Sequence, residues 1–291
     1  MSDECNNNCS SCAASSGCGK AQGNKAGLRK GSRVSCVIAI VSGKGGVGKS
    51  LVTSLLAAKL SKRGFKMAVL DADITGPSIP TSFGVAEEKA LGDSSGAIYP
   101  VVTKSGIQLM SMNFLLEHET DPVLWRGPVI SGAVKQFWTD VVWKDVDCML
   151  VDMPPGTGDV PLTVFQSLPV DAIIVVSNPQ QLVRVIVEKA VKMANAMRVP
   201  ILGLIENMSY VKCPDCGSEI RVYGHSNIGG IANDYGVPVL ARIPIAEEIS
   251  KAVDEGEIET LSADFLDAAV AMIEAMQKPK PATESEENTD S

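Results

Sequence analysis

The sequence predicts a doubly wound α/β fold, a mostly parallel sheet with helices on both faces, and three observations carry that expectation. The chain of 291 residues is 45% apolar but only 4% aromatic, a balance that suits a buried parallel sheet better than a β-sandwich. Short, nearly continuous Val/Ile-rich runs alternate with stretches of helical period. A glycine-rich run, Gly43–Ser50, joins the first such strand to the first such helix.

In chain order, residues 1–32 form a polar N-terminal segment without apolar periodicity that carries four of the eight cysteines. Residues 33–277 form the folded domain. Its candidate strands are 34–42, 66–71, 107–112, 147–152, 171–177 and 200–206, each an apolar run of the kind covered on both faces. Helix candidates 48–63, 129–143 and 182–197 lie between them. In the second, Ile130, Val134, Phe137 and Val141 recur at helical spacing and mark the core face. A cysteine-bearing insertion at 210–223 precedes a last strand near 239–243 and helices near 246–255 and 262–277. Residues 278–291 are Pro, Lys, Glu and Ser and read as a solvated tail.

The composition also excludes partners. A net charge of −8 without a long basic run argues against a nucleic-acid backbone. No apolar run approaches the roughly eighteen residues that cross a bilayer, so no membrane partner is expected. The first thirty residues have no apolar signal core, which points to a cytoplasmic protein. In that reducing compartment, cysteines favour metal or redox chemistry over structural disulfides.

Gly43-Lys44-Gly45-Gly46-Val47-Gly48-Lys49-Ser50 fits G-x-x-x-x-G-K-[ST] in the required strand–loop–helix setting. Its backbone N–H groups would converge on phosphate oxygens at the positive end of a helix. Lys49 would reach the β- and γ-phosphates, and Ser50 would ligate Mg²⁺. Asp152 ends an apolar strand as a second magnesium partner should, and Asp73 ends another and would orient the attacking water; either acid could instead cap a turn. With no N-K-x-D motif, ATP is expected rather than GTP, and Asn207 is a candidate adenine contact or a loop cap.

Cys213-Pro214-Asp215-Cys216-Gly217 is a C-x-x-C turn that points two thiols one way. It reads as half of a zinc knuckle, as half of a four-thiolate cluster site completed by a two-fold-related copy, or as a bare turn. His225 is a possible third ligand. Cys5, Cys9, Cys12 and Cys18 lie within fourteen residues and read as a second, ferredoxin-like [4Fe–4S] site or a zinc site. Cys36 and Cys148, inside strand candidates, read as small core residues.

Lys44 makes the glycine loop the variant G-K-G-G-x-G-K-[ST], which resembles the class of MinD, ParA, the arsenite ATPase and the nitrogenase iron protein. Asp71–Ser78, Trp125-Arg126-Gly127-Pro128, Asp152–Asp159 and Glu206-Asn207-Met208-Ser209 resemble the Mrp family of iron–sulfur carriers over about residues 34–255. The resemblance implies a homodimeric, ATP-hydrolysing carrier. Lys44 would reach the partner's phosphates, and Cys213 and Cys216 would bridge a [4Fe–4S] cluster between subunits. Upstream donors would load that cluster, and apo iron–sulfur clients would receive it. Cys9, Cys12 and Cys18 match the spacing of a subgroup with an N-terminal cluster, whereas Cys5 follows a shortened gap. Two other readings share the loop. One is a nucleotide-gated redox protein; the other is a positioning ATPase, which would need a membrane or DNA surface, and residues 262–277 lack the basic character of a membrane-targeting helix.

Overall fold

The computed structural model describes residues 25–73, 78–116, 127–156, 158–179 and 183–276. Strand β1 (Val37–Ser42) feeds the glycine loop and α1 (Lys49–Lys62), then β2 (Met67–Asp71) and the short α2 (Ile79–Ser82) follow. Three two-residue strands come next, β3 (Leu91–Gly92), β4 (Ile98–Tyr99) and β5 (Val101–Val102), then β6 (Gln108–Met110), α3 (Gly127–Thr139), β7 (Cys148–Asp152) and α4 (Asp159–Ser167). The chain continues through β8 (Ala172–Ser177), α5 (Val183–Met197), β9 (Ile201–Lys212), β10 (Glu219–Ile220) and α6 (Ile228–Tyr235). It closes with β11 (Val239–Pro244), α7 (Glu247–Asp254) and α8 (Asp267–Met276).

The sheet runs β5-β6-β2-β7-β1-β8-β9, with β11 beside β9 and β10 as its antiparallel hairpin mate. Every pair from β6 to β11 along the main path is parallel, as right-handed crossovers through helices require. Alternation along the strands divides the core in two. Val37, Ala39, Val41, Met149, Val151, Ile173 and Val175 face α3, α4, α5 and α6. Ile38, Ile40, Val69, Leu150, Ile174 and Val176 face α1, α7 and α8. Helix α1 is buried around most of its circumference, with ten residues buried, six of them apolar and Lys49, Thr53, Ser54 and Lys59 polar, as a helix covered by neighbouring elements is.

The expected strands and long helices form, with differences at their ends. The chain leaves α3 at Thr139 because Val142 N donates to Ile98 O at 2.8 Å, drawing Val141 into a parallel bridge. Val141 therefore reaches the core from outside the helix. Ahead of α8, Ala263 stands at φ 48 and a 3-10 turn fills Asp264–Leu266, so the helix starts five residues later than its periodicity suggests. Strand β9 continues six residues past Glu206, through Met208 at φ 56. A left-handed, non-glycine residue inside a strand breaks side-chain alternation, which hid this extension.

Residues 25–32 pack on the domain. Ala26 N donates to Ser167 O, Trp138 Nε1 donates to Ala26 O at 2.7 Å, and the Arg29 guanidinium clasps Ser95 and Gly96 carbonyls. Cys5, Cys9, Cys12 and Cys18, the segment 74–77, Trp125 and Arg126, and the tail 278–291 lie outside the described residues.

Candidate nucleotide and cysteine sites

The carboxyl ends of β1, β2 and β7 converge on the glycine loop, where ligands bind in open α/β sheets. A cleft of about 290 Å³ opens there, bordered by Gly45, Lys49, Ser50, Asp73, Pro155 and Val253. No acidic residue occupies the first turn of α1, so its positive end is left for an anion. Two glycines are needed by contact. A Cβ on Gly43 would lie 2.4 Å from Ile186 Cγ2, and one on Gly48, at φ +79, would lie 2.1 Å from Asn207 Nδ2.

Asp152 organises the floor. Its carboxylate is fully buried and accepts from Ser50 Oγ at 2.5 Å and Thr53 Oγ1 at 2.9 Å. Lys49 Nζ, 5% exposed, stands 2.8 Å from Asp152 and 3.5 Å from Asp73. The ammonium has ionic contact but no well-directed hydrogen bond, which fits a group set for oxygens that approach from the cleft. Burial raises the Asp152 carboxyl above its ordinary range against the pull of Lys49 and its hydroxyl donors. Asp71, paired in register with Asp152, is pushed up to about 8 by burial and then by the Asp152 charge, although Ser111 Oγ donates to it at 2.9 Å.

Thr53 and Ser111 escaped the motif reading. Their signal is positional: Thr53 sits one turn after Lys49 on the sheet-facing side of α1, and Ser111 follows β6 beside Asp71. Asn207 is buried, and its Nδ2 donates to Val47 O at 2.9 Å, so its amide braces the glycine loop. The Pro154-Pro155-Gly156 turn is tied to β1 by Gly156 N donating to Ser42 O at 2.9 Å, and Ser42 Oγ donates to Lys44 O at 3.0 Å.

Strand β9 carries the chain from Asn207 to the cysteine turn, which begins six residues or about 20 Å on at most. Cys213 N donates to Ser218 O, and Gly217, at φ 70, donates to Cys213 O, both at 2.9 Å. Cys216 is exposed and Cys213 half-buried. Cys216 Sγ lies 3.0 Å from Ser218 Oγ, and hydrogen bonds from Ser218 and then Cys213 lower its thiol pKa, favouring the thiolate that binds metals. His225 meets Arg221 at 3.0 Å instead, and among the described residues no group of three or more His, Cys, Asp or Glu is assembled to hold a metal. Cys36, just before β1, and Cys148, at the start of β7, are buried neighbours that share a thiol hydrogen bond, which lowers Cys36 and raises Cys148.

A parallel sheet whose first strand enters a glycine loop with a buried lysine, a hydroxyl and a carboxylate behind it defines a P-loop NTPase. The model of the NUBPL iron-transfer P-loop NTPases, of the ParA group, matches residues 33–278. A protein of Clostridium perfringens named iron–sulfur cluster carrier protein is 43% identical over 262 residues, 88% of this chain and 92% of its own length. One of the same name from Methanocaldococcus jannaschii is 42% identical, over 87% and 89% of the two chains. A nucleotide-binding protein of Archaeoglobus fulgidus solved with ADP superposes with a TM-score of 0.73 at 39% identity, over 80% of this chain and 91% of that one. MinD of Pyrococcus horikoshii with Mg-ADP has a TM-score of 0.56 at 21% identity, over 84% and 97%, a likeness of fold. The chain belongs to the NUBPL family of iron-transfer P-loop NTPases.

Proposed function

We propose that the chain is an ATP-dependent carrier that holds an iron–sulfur cluster on Cys213 and Cys216 and hands it to acceptor proteins. The observation that carries this reading is a preorganised two-thiol turn on β9, the strand whose Asn207 braces the glycine loop. Two ligands per chain fall short of the four that a [4Fe–4S] cluster takes. A homodimer that places two such turns face to face completes the set. A cytoplasmic carrier is the reading that accords with these thiols. No helix among the described residues is long and apolar enough to cross a membrane, and α8 spends its apolar face on the core through Ala269, Val270 and Ile273.

ATP would lie along Gly43–Ser50. Ser50 and Asp152 are hard oxygen donors suited to Mg²⁺ with few protein ligands, and the ion would neutralise phosphate charge when bound. Lys49 would leave Asp152 for the β- and γ-phosphates, and Lys44 would address the nucleotide of the facing subunit. Asp73 would orient the attacking water. Turnover would be slow and need the dimer, because a single chain lacks the second lysine. At the far end of β9, each acceptor thiolate would form one Fe–S bond as one Cys213 or Cys216 Fe–S bond breaks. The released sulfur leaves as thiolate, with no net change in cluster oxidation state. Cys9, Cys12 and Cys18, with Cys5, would hold a second cluster.

Anaerobic reconstitution with iron and sulfide tests this reading. Replacing Cys213 and Cys216 together by Ala should remove about four irons per dimer and leave ATP binding intact. One tightly held zinc per chain, unchanged by the substitution, would reject it.

A further inference from the structure

Beside the cysteine turn lies a second cavity, of about 650 Å³, within the size range of ligand sites. Lys212 and Pro214, which flank Cys213, both line it, and its apolar wall is Tyr210, Val211, Ile245, Leu261 and Phe265. Ile245 N donates to Tyr210 O at 2.8 Å, so the wall is tied directly to β9. Ile245 is 38% exposed, and Ile220, 52% exposed on β10, pairs with the wall residue Val211, so apolar surface continues from the cavity onto the hairpin.

The rim is acidic. Glu247 and Glu248 form the first turn of α7 on the cavity edge, are exposed, and take part in no ion pair among the described residues. Asp264, also on the edge, is already paired with Lys59. Asp215 and Glu219 add charge from the hairpin, against Lys212 and Arg221. An apolar floor with an unanswered acidic edge matches a segment that offers an apolar side chain flanked by lysine or arginine.

We infer that this groove docks a basic-flanked apolar segment of the acceptor protein and so sets the acceptor's thiols against Cys213 and Cys216. The inference rests on the carrier reading for the identity of the partner, but its primary test uses no cluster.

The cluster-free, full-length protein is titrated into two fluorescent peptides of about eight residues. One is rich in leucine and lysine, and the other has glutamate in place of each lysine. Anisotropy should show binding of the lysine peptide alone. Glu247→Lys with Glu248→Lys, which places two cations in the first turn of α7 and should lower the melting temperature by only a few degrees, should weaken it by about tenfold, the 1.4 kcal/mol expected from a few exposed charge contacts. Phe265→Ala should weaken it too, and the charge variant stands alone if that protein folds poorly. In cluster transfer to an apo-ferredoxin with basic surface segments, the charge variant should raise the acceptor concentration for half-maximal rate and keep full iron content. Equal binding of the two peptides, or binding indifferent to the charge reversal, would overturn the docking site. Loss of iron from the cysteine turn is a separate outcome and bears only on the carrier reading.

Discussion

Lys49→Met removes the ammonium from the buried floor of the nucleotide cleft and keeps the side chain's length. Lys49 and Asp152 are 5% and 0% exposed and 2.8 Å apart, so little water compensates for the loss. Breaking a buried ion pair costs about 3–5 kcal/mol when the remaining charge is orphaned. Here Ser50 and Thr53 still donate to Asp152, which reduces the expected loss to about 2–3 kcal/mol near pH 8. For a chain of this size, that lowers the melting temperature of the nucleotide-free protein by about 3–5 °C. The sign of the pH dependence follows from the carboxyl. The folded-state pKa of Asp152 is already raised by burial, and loss of Lys49 raises it further. An acid bound more tightly to its proton in the folded state contributes stability at low pH that is lost as pH rises. The variant's deficit should therefore shrink towards pH 5 and grow towards pH 8. ATPase activity should fall by about 100-fold or more, as when a transition-state charge donor is removed. Calorimetry at pH 5 and pH 8, with turnover assays, checks both parts. An unchanged melting temperature, or a deficit equal at both pH values, would refute the reasoning.

Asp71, pushed up to about 8, should make the nucleotide-free protein lose stability as pH rises from about 4 to 8, by no more than about 1.4 kcal/mol per pH unit. Asp71→Asn should flatten that slope in denaturant titrations. Gly48→Ala forces a Cβ to 2.1 Å from Asn207 Nδ2 at φ +79; calorimetry should show ADP affinity reduced by at least about tenfold and stability by about 1–3 kcal/mol. Truncation of residues 1–24 spares the bonds of Ala26 and Arg29 to the domain and should remove about two thirds of the iron, the two tail clusters of a dimer that also shares one bridging four-iron cluster. Full iron retention would deny the N-terminal segment a cluster.

Where one local rule decides, the sequence was a sufficient guide. The Val/Ile runs found the central strands because a sheet covered on both faces tolerates few polar positions. The glycine loop announced its own phosphate geometry through spacing. Long-range contacts were harder to see. Nothing local to Thr53 says that its hydroxyl will meet Asp152, 99 positions away. Asn207 offered two readings until the fold brought Val47 O within 2.9 Å. The short α2, α4 and α6 lack enough turns for a clear period, and α4 carries Pro161 in its first turn, where proline is tolerated but reads as a breaker. Met208 concealed the outer half of β9, and with it the continuous path from glycine loop to cysteine turn.

That path gives the account its central claim, and cluster transfer tests it most directly. Reconstituted protein with Mg-ATP is mixed anaerobically with an apo-acceptor, and cluster absorbance is followed on both proteins after separation. The account predicts that the acceptor gains one [4Fe–4S] cluster for each one the carrier dimer loses, and that protein lacking Cys213 and Cys216 donates none. Reduction of the partner while the carrier keeps all of its iron would contradict it.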